Sequence, residues 1–235
     1  MRPVSDRIEG LSVSRSHPTI PAAAGEAIEP RSAEVGDLAL FFRKFLEKGR
    51  EISSAVPSSR TMALRMLAQV EFDRPGTIIE LGAGTGAITE HIVERLRPHH
   101  RFVAVERDPD FVAILRRRFP PEMILQADAT RLREPLARIG VHKARYLLCC
   151  LPTPALTKRG IVRFRRWVAD TLEPGGLFLQ LTIVPLLYRR FYRRLFEQVS
   201  FGPVWRNFPP GGIYTCRSPR LRAGETAAAT HAMTG

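Results

Sequence analysis

Thr77-Ile78-Ile79-Glu80-Leu81-Gly82-Ala83-Gly84-Thr85-Gly86-Ala87-Ile88 is the stretch on which the fold turns. A short apolar run enters three alternate glycines, and Ile88, Ile92 and Leu96 then recur every fourth residue. That order predicts a buried strand over 77–81, a tight turn over 82–86 and a helix over 87–96. Glycine at 82 and 84 lets the backbone turn sharply and approach a ligand where a Cβ would collide. By itself the turn says only that a nucleotide-type ligand is held, because dinucleotide enzymes use a related pattern.

Carboxylates on either side narrow the ligand. Glu106 closes the next apolar run, 20 residues beyond Gly86, where it can accept hydrogen bonds from both hydroxyls of a ribose. Gln126-Ala127-Asp128-Ala129 closes the one after, with Asp128 in reach of an adenine amino group and the Ala129 backbone along the ring. Three strand ends then meet in one crevice, the place where an open parallel sheet holds its ligand. Glu80 stands two residues before Gly82. A carboxylate there suits the ammonium of a methionine moiety and repels a pyrophosphate, and Ala87 occupies the place of a third dinucleotide-type glycine. Glu80, Gly82, Gly84, Gly86, Glu106, Asp128 and Ala129 therefore read as a site for S-adenosylmethionine.

Outside this region short apolar runs alternate with helical patterns, the signature of an α/β fold with a parallel sheet and crossover helices. Strands are predicted over 77–81, 102–106, 123–126, 145–150, 176–182, 200–207 and 213–216. Tyr146-Leu147-Leu148-Cys149-Cys150, apolar on both faces, suits a central strand. Residues 1–36, where Pro3, Pro18, Pro21 and Pro30 lie among small and polar residues, and residues 218–235 are expected to be disordered tails. Between them, 37–52 reads as an amphipathic helix and 53–217 as a single folded domain.

The chain has 235 residues, 44% of them hydrophobic, and a formal charge of +13. No apolar run nears the ~20 residues that span a bilayer, and the N-terminus lacks the apolar stretch of a secretory signal, so a cytoplasmic location is expected. The charge implies a polyanionic partner, which nucleic acid and an anionic membrane face both satisfy. Cys149, Cys150 and Cys216 lack metal-ligand spacing and read as reduced structural thiols. The histidines form no ligand pair, and no metal is assigned.

Several segments carry a resemblance: Phe41-Phe42-Arg43-Lys44-Phe45-Leu46, Ser53-Ser54-Ala55-Val56-Pro57-Ser58-Ser59, the glycine turn, Cys150-Leu151-Pro152 and Trp205-Arg206-Asn207-Phe208-Pro209-Pro210. From about Phe41 to Arg217 the chain resembles the bacterial phospholipid N-methyltransferases, aminolipid methyltransferases related to the ribosomal RNA adenine dimethylases. The resemblance implies a Rossmann-like, seven-stranded class I methyltransferase fold that uses S-adenosylmethionine. The implied substrate is an aminolipid, of the phosphatidylethanolamine type or an ornithine lipid. The chain departs from the family pattern at Ser53-Ser54, where Gly-Ala is usual, at Cys150, where Gly is usual, and at Ile183, where Tyr is usual. Those departures leave the head group open.

By the same resemblance Cys150, Leu151 and Pro152 form the acceptor loop, matching an Asn-Leu-Pro-aromatic loop that holds the target nitrogen in the RNA dimethylases. The Cys150 and Leu151 carbonyls are candidates to accept from an amine, and the missing Asn and aromatic argue against a flipped adenine. Lys158, Arg189 and Arg206 are candidates for a lipid's anionic group. On 37–52 Leu38, Phe41, Phe42, Phe45 and Ile52 share one helical face flanked by Lys44 and Lys48, which predicts docking to the inner face of the cytoplasmic membrane. Tyr188, Phe191, Tyr192, Leu195 and Phe196, set against Arg189, Arg190, Arg193 and Arg194, predict a second interfacial helix. RNA adenine methylation is the alternative, and a membrane-surface binding protein without turnover is a third reading.

Overall fold

The computed structural model describes residues 57–205 and 211–220. The expected tail over 1–36, the expected docking helix with Phe41, Phe42, Lys44, Phe45 and Lys48, Arg206, and all but the start of the expected C-terminal tail lie outside these residues. The described chain begins with helix α1 (Pro57–Leu67), which leads into strand β1 (Gly76–Leu81). There follow α2 (Thr89–Val93), β2 (His100–Glu106), α3 (Pro109–Arg118), β3 (Ile124–Gln126), α4 (Arg133–Arg138) and β4 (Ala144–Cys149). The second half comprises α5 (Lys158–Thr171), β5 (Leu172–Thr182), α6 (Pro185–Leu195), β6 (Phe196–Val204) and β7 (Gly211–Pro219).

The seven strands form one sheet in the order β3-β2-β1-β4-β5-β7-β6. β1 to β5 run parallel, and β7 lies antiparallel between β5 and β6. The chain reverses direction across the sheet between β1 and β4, so the crevice at their carboxyl ends is the natural ligand site. Register aligns those ends: Leu81 lies opposite both Val105 and Cys149, Glu106 opposite Gln126, and Cys149 opposite Gln180.

Alternation along the strands feeds two apolar layers. Ile78, Tyr146, Leu148 and Leu179 pack on one face with Met62 and Met66 of α1, Ile92 of α2 and Leu115 of α3. On the other face Ile79, Leu81, Leu147 and Phe178 pack with Leu136 of α4, Phe164 and Trp167 of α5 and Tyr192 of α6. Cys149 and Cys150 point into opposite layers, and burial pushes the Cys149 thiol up to about 12, so it is no thiolate at neutral pH. Local chemistry sets the helix starts. Asp108 accepts from the Asp110 amide ahead of Pro109, and Thr157 accepts from the Gly160 amide to start α5.

The structure departs from the expected elements in four places. Regular helix after the glycine turn is confined to Thr89–Val93, although the Glu90 amide still bonds the Gly86 carbonyl and the Leu96 amide the Val93 carbonyl. β5 starts at Leu172, since a register shift absorbs Pro174, Gly175 and Gly176 before Leu177 pairs with Tyr146. β6 begins at Phe196 and β7 runs to Pro219, so ordered chain passes 217. The fourth concerns α6, whose aromatic stripe is core. Tyr188, Tyr192, Leu195 and Phe196 are buried, with Tyr192 5.5 Å from the Phe178 ring and 5.8 Å from that of Tyr214. β6 and β7 widen the sheet beyond β5, and these rings cover the added apolar face; Phe191, the remaining member of the stripe, is partly buried against the same core.

Candidate active site

The glycine turn has the backbone that its residues require. Gly82, Gly84 and Gly86 adopt φ of 78°, 56° and 89°, a region costly for any residue with a Cβ. The Gly82 and Ala83 amides both bond the Val105 carbonyl, which ties the turn to β2. A Cβ on Gly82 would come within 2.4 Å of Leu151 Cδ2, so the turn rests directly against the acceptor loop. From the other side Arg118, at the end of α3, donates to the Thr85 carbonyl and pairs with Glu90 at 2.8 Å.

The acids hold defined positions around this turn. Glu106 Oε2 accepts from the Gly84 amide at 2.9 Å, and Oε1 accepts from the amides of Arg107 and Asp108 at 2.7 and 2.9 Å. Three backbone donors thus orient the carboxylate that the sequence assigns to a ribose. Asp128 takes both the amide and the hydroxyl of Thr130 on Oδ1, at 2.7 and 2.8 Å. Partial burial raises its pKa, but the two Thr130 bonds, with Arg107 and Arg131 nearby, hold it below the usual carboxylate range. Ala129 lies beside it, partly buried at the end of the β3 side.

Glu80 sits beneath the turn, 1% exposed, with Oε2 accepting from Thr89 Oγ1 at 2.7 Å. Burial pushes its pKa up to about 7; the Thr89 bond works against that rise and the Glu106 charge adds to it. A buried carboxyl in this state is one that a cation would return to its ionised form. Flexed glycine amides, an oriented ribose-type carboxylate, an adenine-type Asp and a buried acid awaiting a cation fit S-adenosylmethionine.

The acceptor loop leaves the end of β4. The Cys150 amide bonds the Leu81 carbonyl at 2.9 Å, which holds the loop against the cofactor strand. The Leu151 carbonyl accepts from the Thr153 amide at 2.8 Å and from Gln180 Nε2 at 3.0 Å. Both its lone pairs are used, so Leu151 is not an acceptor for a substrate amine; the Cys150 carbonyl is the candidate that remains. Pro152 follows Leu151 and precedes a short 3-10 turn, Thr153–Ala155.

Behind the loop is a buried network that the sequence reading missed. Tyr192 donates to Gln180 Oε1, the Thr153 and Tyr192 hydroxyls bond each other, and Gln180 Nε2 also bonds the Leu181 carbonyl at 2.6 Å. A lone Gln in the apolar run Leu177-Phe178-Leu179-Gln180-Leu181 was the available signal, because a buried amide demands partners. Lys158 lies on the first turn of α5 and Arg189 on the exposed side of α6, both exposed.

Comparison with known proteins agrees with this geometry. The family model for ribosomal RNA adenine dimethylase matches residues 56–145, which span the cofactor strands and stop before the acceptor loop. An ornithine lipid N-methyltransferase of Singulisphaera acidiphila is 38% identical over 184 residues, 77% of this chain and 96% of that enzyme. A ribosomal RNA small subunit methyltransferase A of Thiobacillus denitrificans is 50% identical over 64 residues, covering 27% of this chain and 24% of that protein. Among solved structures, the Burkholderia thailandensis 1,6-didemethyltoxoflavin-N1-methyltransferase with bound S-adenosylhomocysteine superposes with a TM-score of 0.54 at 17% identity, over 88% of this chain and all of that one. A TehB-like S-adenosylmethionine-dependent methyltransferase of Corynebacterium glutamicum gives 0.52 at 13% identity, over 76% and 99%. The fold is that of the Rossmann-like methyltransferases, and the cofactor is S-adenosylmethionine. With its glycine turn, its acid set and a relative matched over nearly that protein's full length, the chain belongs to the bacterial aminolipid methyltransferases related to the ribosomal RNA adenine dimethylases.

Proposed function

We propose that this methyltransferase acts on the head-group amine of a membrane aminolipid, with an ornithine lipid as the first substrate to test and a phosphatidylethanolamine-type lipid as the second. The observation that carries the reading is the relation to the Singulisphaera acidiphila enzyme, which covers 77% of this chain, long enough to take in the acceptor loop, and 96% of that enzyme. The RNA adenine reading draws on the 56–145 match, which includes the proposed cofactor residues and stops before the proposed acceptor loop. Thr153, in the place of a base-stacking aromatic, is 0% exposed with its hydroxyl turned to Tyr192, which argues against a flipped base.

Bound S-adenosylmethionine supplies an electrophilic methyl on a sulfonium. That methyl would pass to a neutral amine, with the S–C electron pair staying on sulfur as a thioether and the proton of the new ammonium going to water, so alignment is the protein's main task. Glu80, Glu106 and Asp128 fix the donor side. The Cys150 carbonyl orients an amine N–H on the acceptor side, and Gln180 and Thr153 hold the next carbonyl out of competition. Membrane attachment through Phe41, Phe42 and Phe45, with Lys44 and Lys48, at the inner face of the cytoplasmic membrane belongs to this proposal. Lys158, Arg189 and Arg206 are its candidates for the lipid's anionic group.

Purified full-length protein with methyl-labelled cofactor, liposomes containing ornithine lipid and phosphatidylethanolamine, and added RNA provides the test. Label in a lipid amine is expected, and label confined to RNA overturns the reading. Phe41→Asp with Phe45→Asp is expected to reduce liposome association without changing cofactor affinity; wild-type flotation of that variant removes the helix from the proposal.

A further inference from the structure

The carboxyl end of the sheet carries two large apolar side chains in water. Leu186 is 83% exposed at the start of α6, and Trp205 is 79% exposed just past β6. Topology brings them to one rim. β6 pairs antiparallel with β7, and β7 antiparallel with β5, so β6 and β5 end at the same side of the sheet as the acceptor loop. Val204 pairs with Gly211 and Thr182 with Gly212, which leaves one strand, β7, between the end that bears Trp205 and the end that leads into Leu186. Tyr214 on that strand donates to the Pro185 carbonyl at 2.5 Å and so anchors the first turn of α6 over it.

The outward face of α6 is cationic. Tyr188, Tyr192 and Leu195 point into the core, and Arg189, Arg190, Arg193 and Arg194 are exposed on the opposite side. Leu186, Arg189, Arg190 and Arg193 follow the i, i+3, i+4, i+7 spacing of one helical face, and α6 contains no acid to balance them. At 1.5 Å per residue Arg193 lies about 10 Å along the axis from Leu186, near the Debye length of physiological salt.

We infer that this rim is a membrane-docking surface for an anionic lipid leaflet, with Leu186 and Trp205 entering the headgroup boundary and the α6 arginines held against the lipid charge. The inference rests on the lipid-amine reading above and sharpens it, because it sets the acceptor loop toward the bilayer from which the substrate amine comes. Apolar side chains beside unbalanced arginines fit an anionic lipid surface, where the Trp ring sits at headgroup level and each arginine gains from the leaflet's charge. RNA would use the arginines and could stack on Trp205, but it gives Leu186 no reason to be in water, and the nearby acceptor loop offers no second ring.

Tryptophan fluorescence reads the contact directly, since the chain's other tryptophan, Trp167, is buried in the core. With vesicles of phosphatidylethanolamine and phosphatidylglycerol carrying brominated acyl chains, wild-type emission is expected to be quenched. The Trp205→Phe variant is expected to lose that quenching, and vesicles of phosphatidylcholine alone are expected to give little in either protein. Leu186→Ser with Trp205→Ser is expected to weaken partitioning onto the anionic vesicles about tenfold or more, from the apolar area left in water. Arg189→Glu with Arg190→Glu is expected to remove the preference for anionic over neutral vesicles. Methylation of an aminolipid dispersed in detergent is expected to persist in the Leu186/Trp205 variant while its apparent KM on vesicles rises. Unchanged vesicle partitioning in that variant, or protection of Trp205 from a soluble quencher by RNA and not by vesicles, overturns the docking surface. If wild-type protein methylates no aminolipid in either form, the function proposed above fails, whatever the quenching shows.

Discussion

The proposed cofactor and acceptor halves of the site meet where Gly82 faces Leu151 and where the Cys150 amide bonds the Leu81 carbonyl, but they are built in different ways. On the cofactor side each functional group is held by neighbours within a few residues or by backbone. Glu106 takes the amides of Arg107 and Asp108, Asp128 takes Thr130, and Glu80 takes Thr89 nine residues on. On the acceptor side the loop at 150–153 is held by Gln180 from β5 and Tyr192 from α6, 27 and 39 residues from Thr153. A binding site assembled locally can keep its pattern while its surroundings change; one assembled across three elements changes with any of them. That difference matches the extent of the relatives, since the adenine dimethylase family model covers the locally built half only.

Gly82→Ala tests the contact itself and is expected to have the largest effect. The substitution forces a positive-φ residue to carry a Cβ 2.4 Å from Leu151 Cδ2, so either the turn or the acceptor loop must move. Strain and overpacking of this kind cost a few kcal/mol together, which corresponds to a loss of kcat/KM on the order of 100-fold. Cofactor affinity by calorimetry and methyl transfer should both fall. If only one falls, the two halves are less tightly joined than their contact implies.

Glu80→Gln sharpens the comparison by separating stability from binding within the cofactor half. The carboxyl is raised to about 7 in the folded chain against an ordinary 4.5, so between these values the folded state holds a proton that the unfolded state has lost. Stability therefore falls as pH rises from 4.5 to 7 and stays lower above it. Removing the charge is expected to stabilise the unliganded protein at pH 8 by up to about 3 kcal/mol, at ~1.4 kcal/mol per pH unit, and to do little at pH 4.5. Cofactor affinity is expected to drop about tenfold in the same variant, because the cation then meets a neutral amide. Thermal melts at the two pH values, with and without cofactor, check both signs; a variant less stable at pH 8 would refute the buried-acid account.

How much of this was legible in the sequence follows from the same difference. Glu80, Gly82, Gly84, Gly86, Glu106 and Asp128 could be named because strand, turn and strand end place them by position alone, and the structure brings all of them to the carboxyl ends of β1, β2 and β3. The partners Thr89, Thr130 and Arg118 were not visible, because side-chain bonds depend on geometry that spacing leaves open. The α6 stripe misled for a related reason. An amphipathic aromatic helix has the same pattern whether lipid or a sheet covers it, and here the sheet edge formed by β6 and β7 does so. Leu151 was named as an amine acceptor because nothing in its neighbours announces Gln180.

Gln180→Leu with its milder companion Tyr192→Phe probes the acceptor half alone. Loss of the amide leaves the Leu151 carbonyl with the Thr153 amide alone and the Tyr192 hydroxyl with the Thr153 hydroxyl alone, so these two buried bonds are lost at about 1 kcal/mol each. Cofactor affinity is expected to hold while kcat falls about tenfold; Tyr192→Phe, which leaves the Gln180–Leu151 bond in place, is expected to lose about threefold. Gln180 is thus a positioning residue, and a split between kcat and cofactor affinity distinguishes that role from general loss of structure. Equal losses in both quantities would show that the network supports the fold and not the loop.

Arg118→Ala is expected to have the smallest effect, and its size measures how far the cofactor half depends on anything beyond its own backbone. The guanidinium bonds the Thr85 carbonyl and pairs with Glu90 at 2.8 Å, with both partners well exposed, so the ion pair contributes well under 1 kcal/mol to stability. The Thr85 carbonyl sits between Gly84 and Gly86, however, where losing a donor loosens the two residues that set the backbone's approach to the cofactor. Melting temperature should be nearly unchanged while cofactor affinity falls about threefold, and Arg118→Lys should recover part of it by keeping a single donor. An affinity equal to wild type would mean that the glycine turn is held by its bonds to Val105 and Glu106 alone, which is the limiting case of a site built from its own backbone.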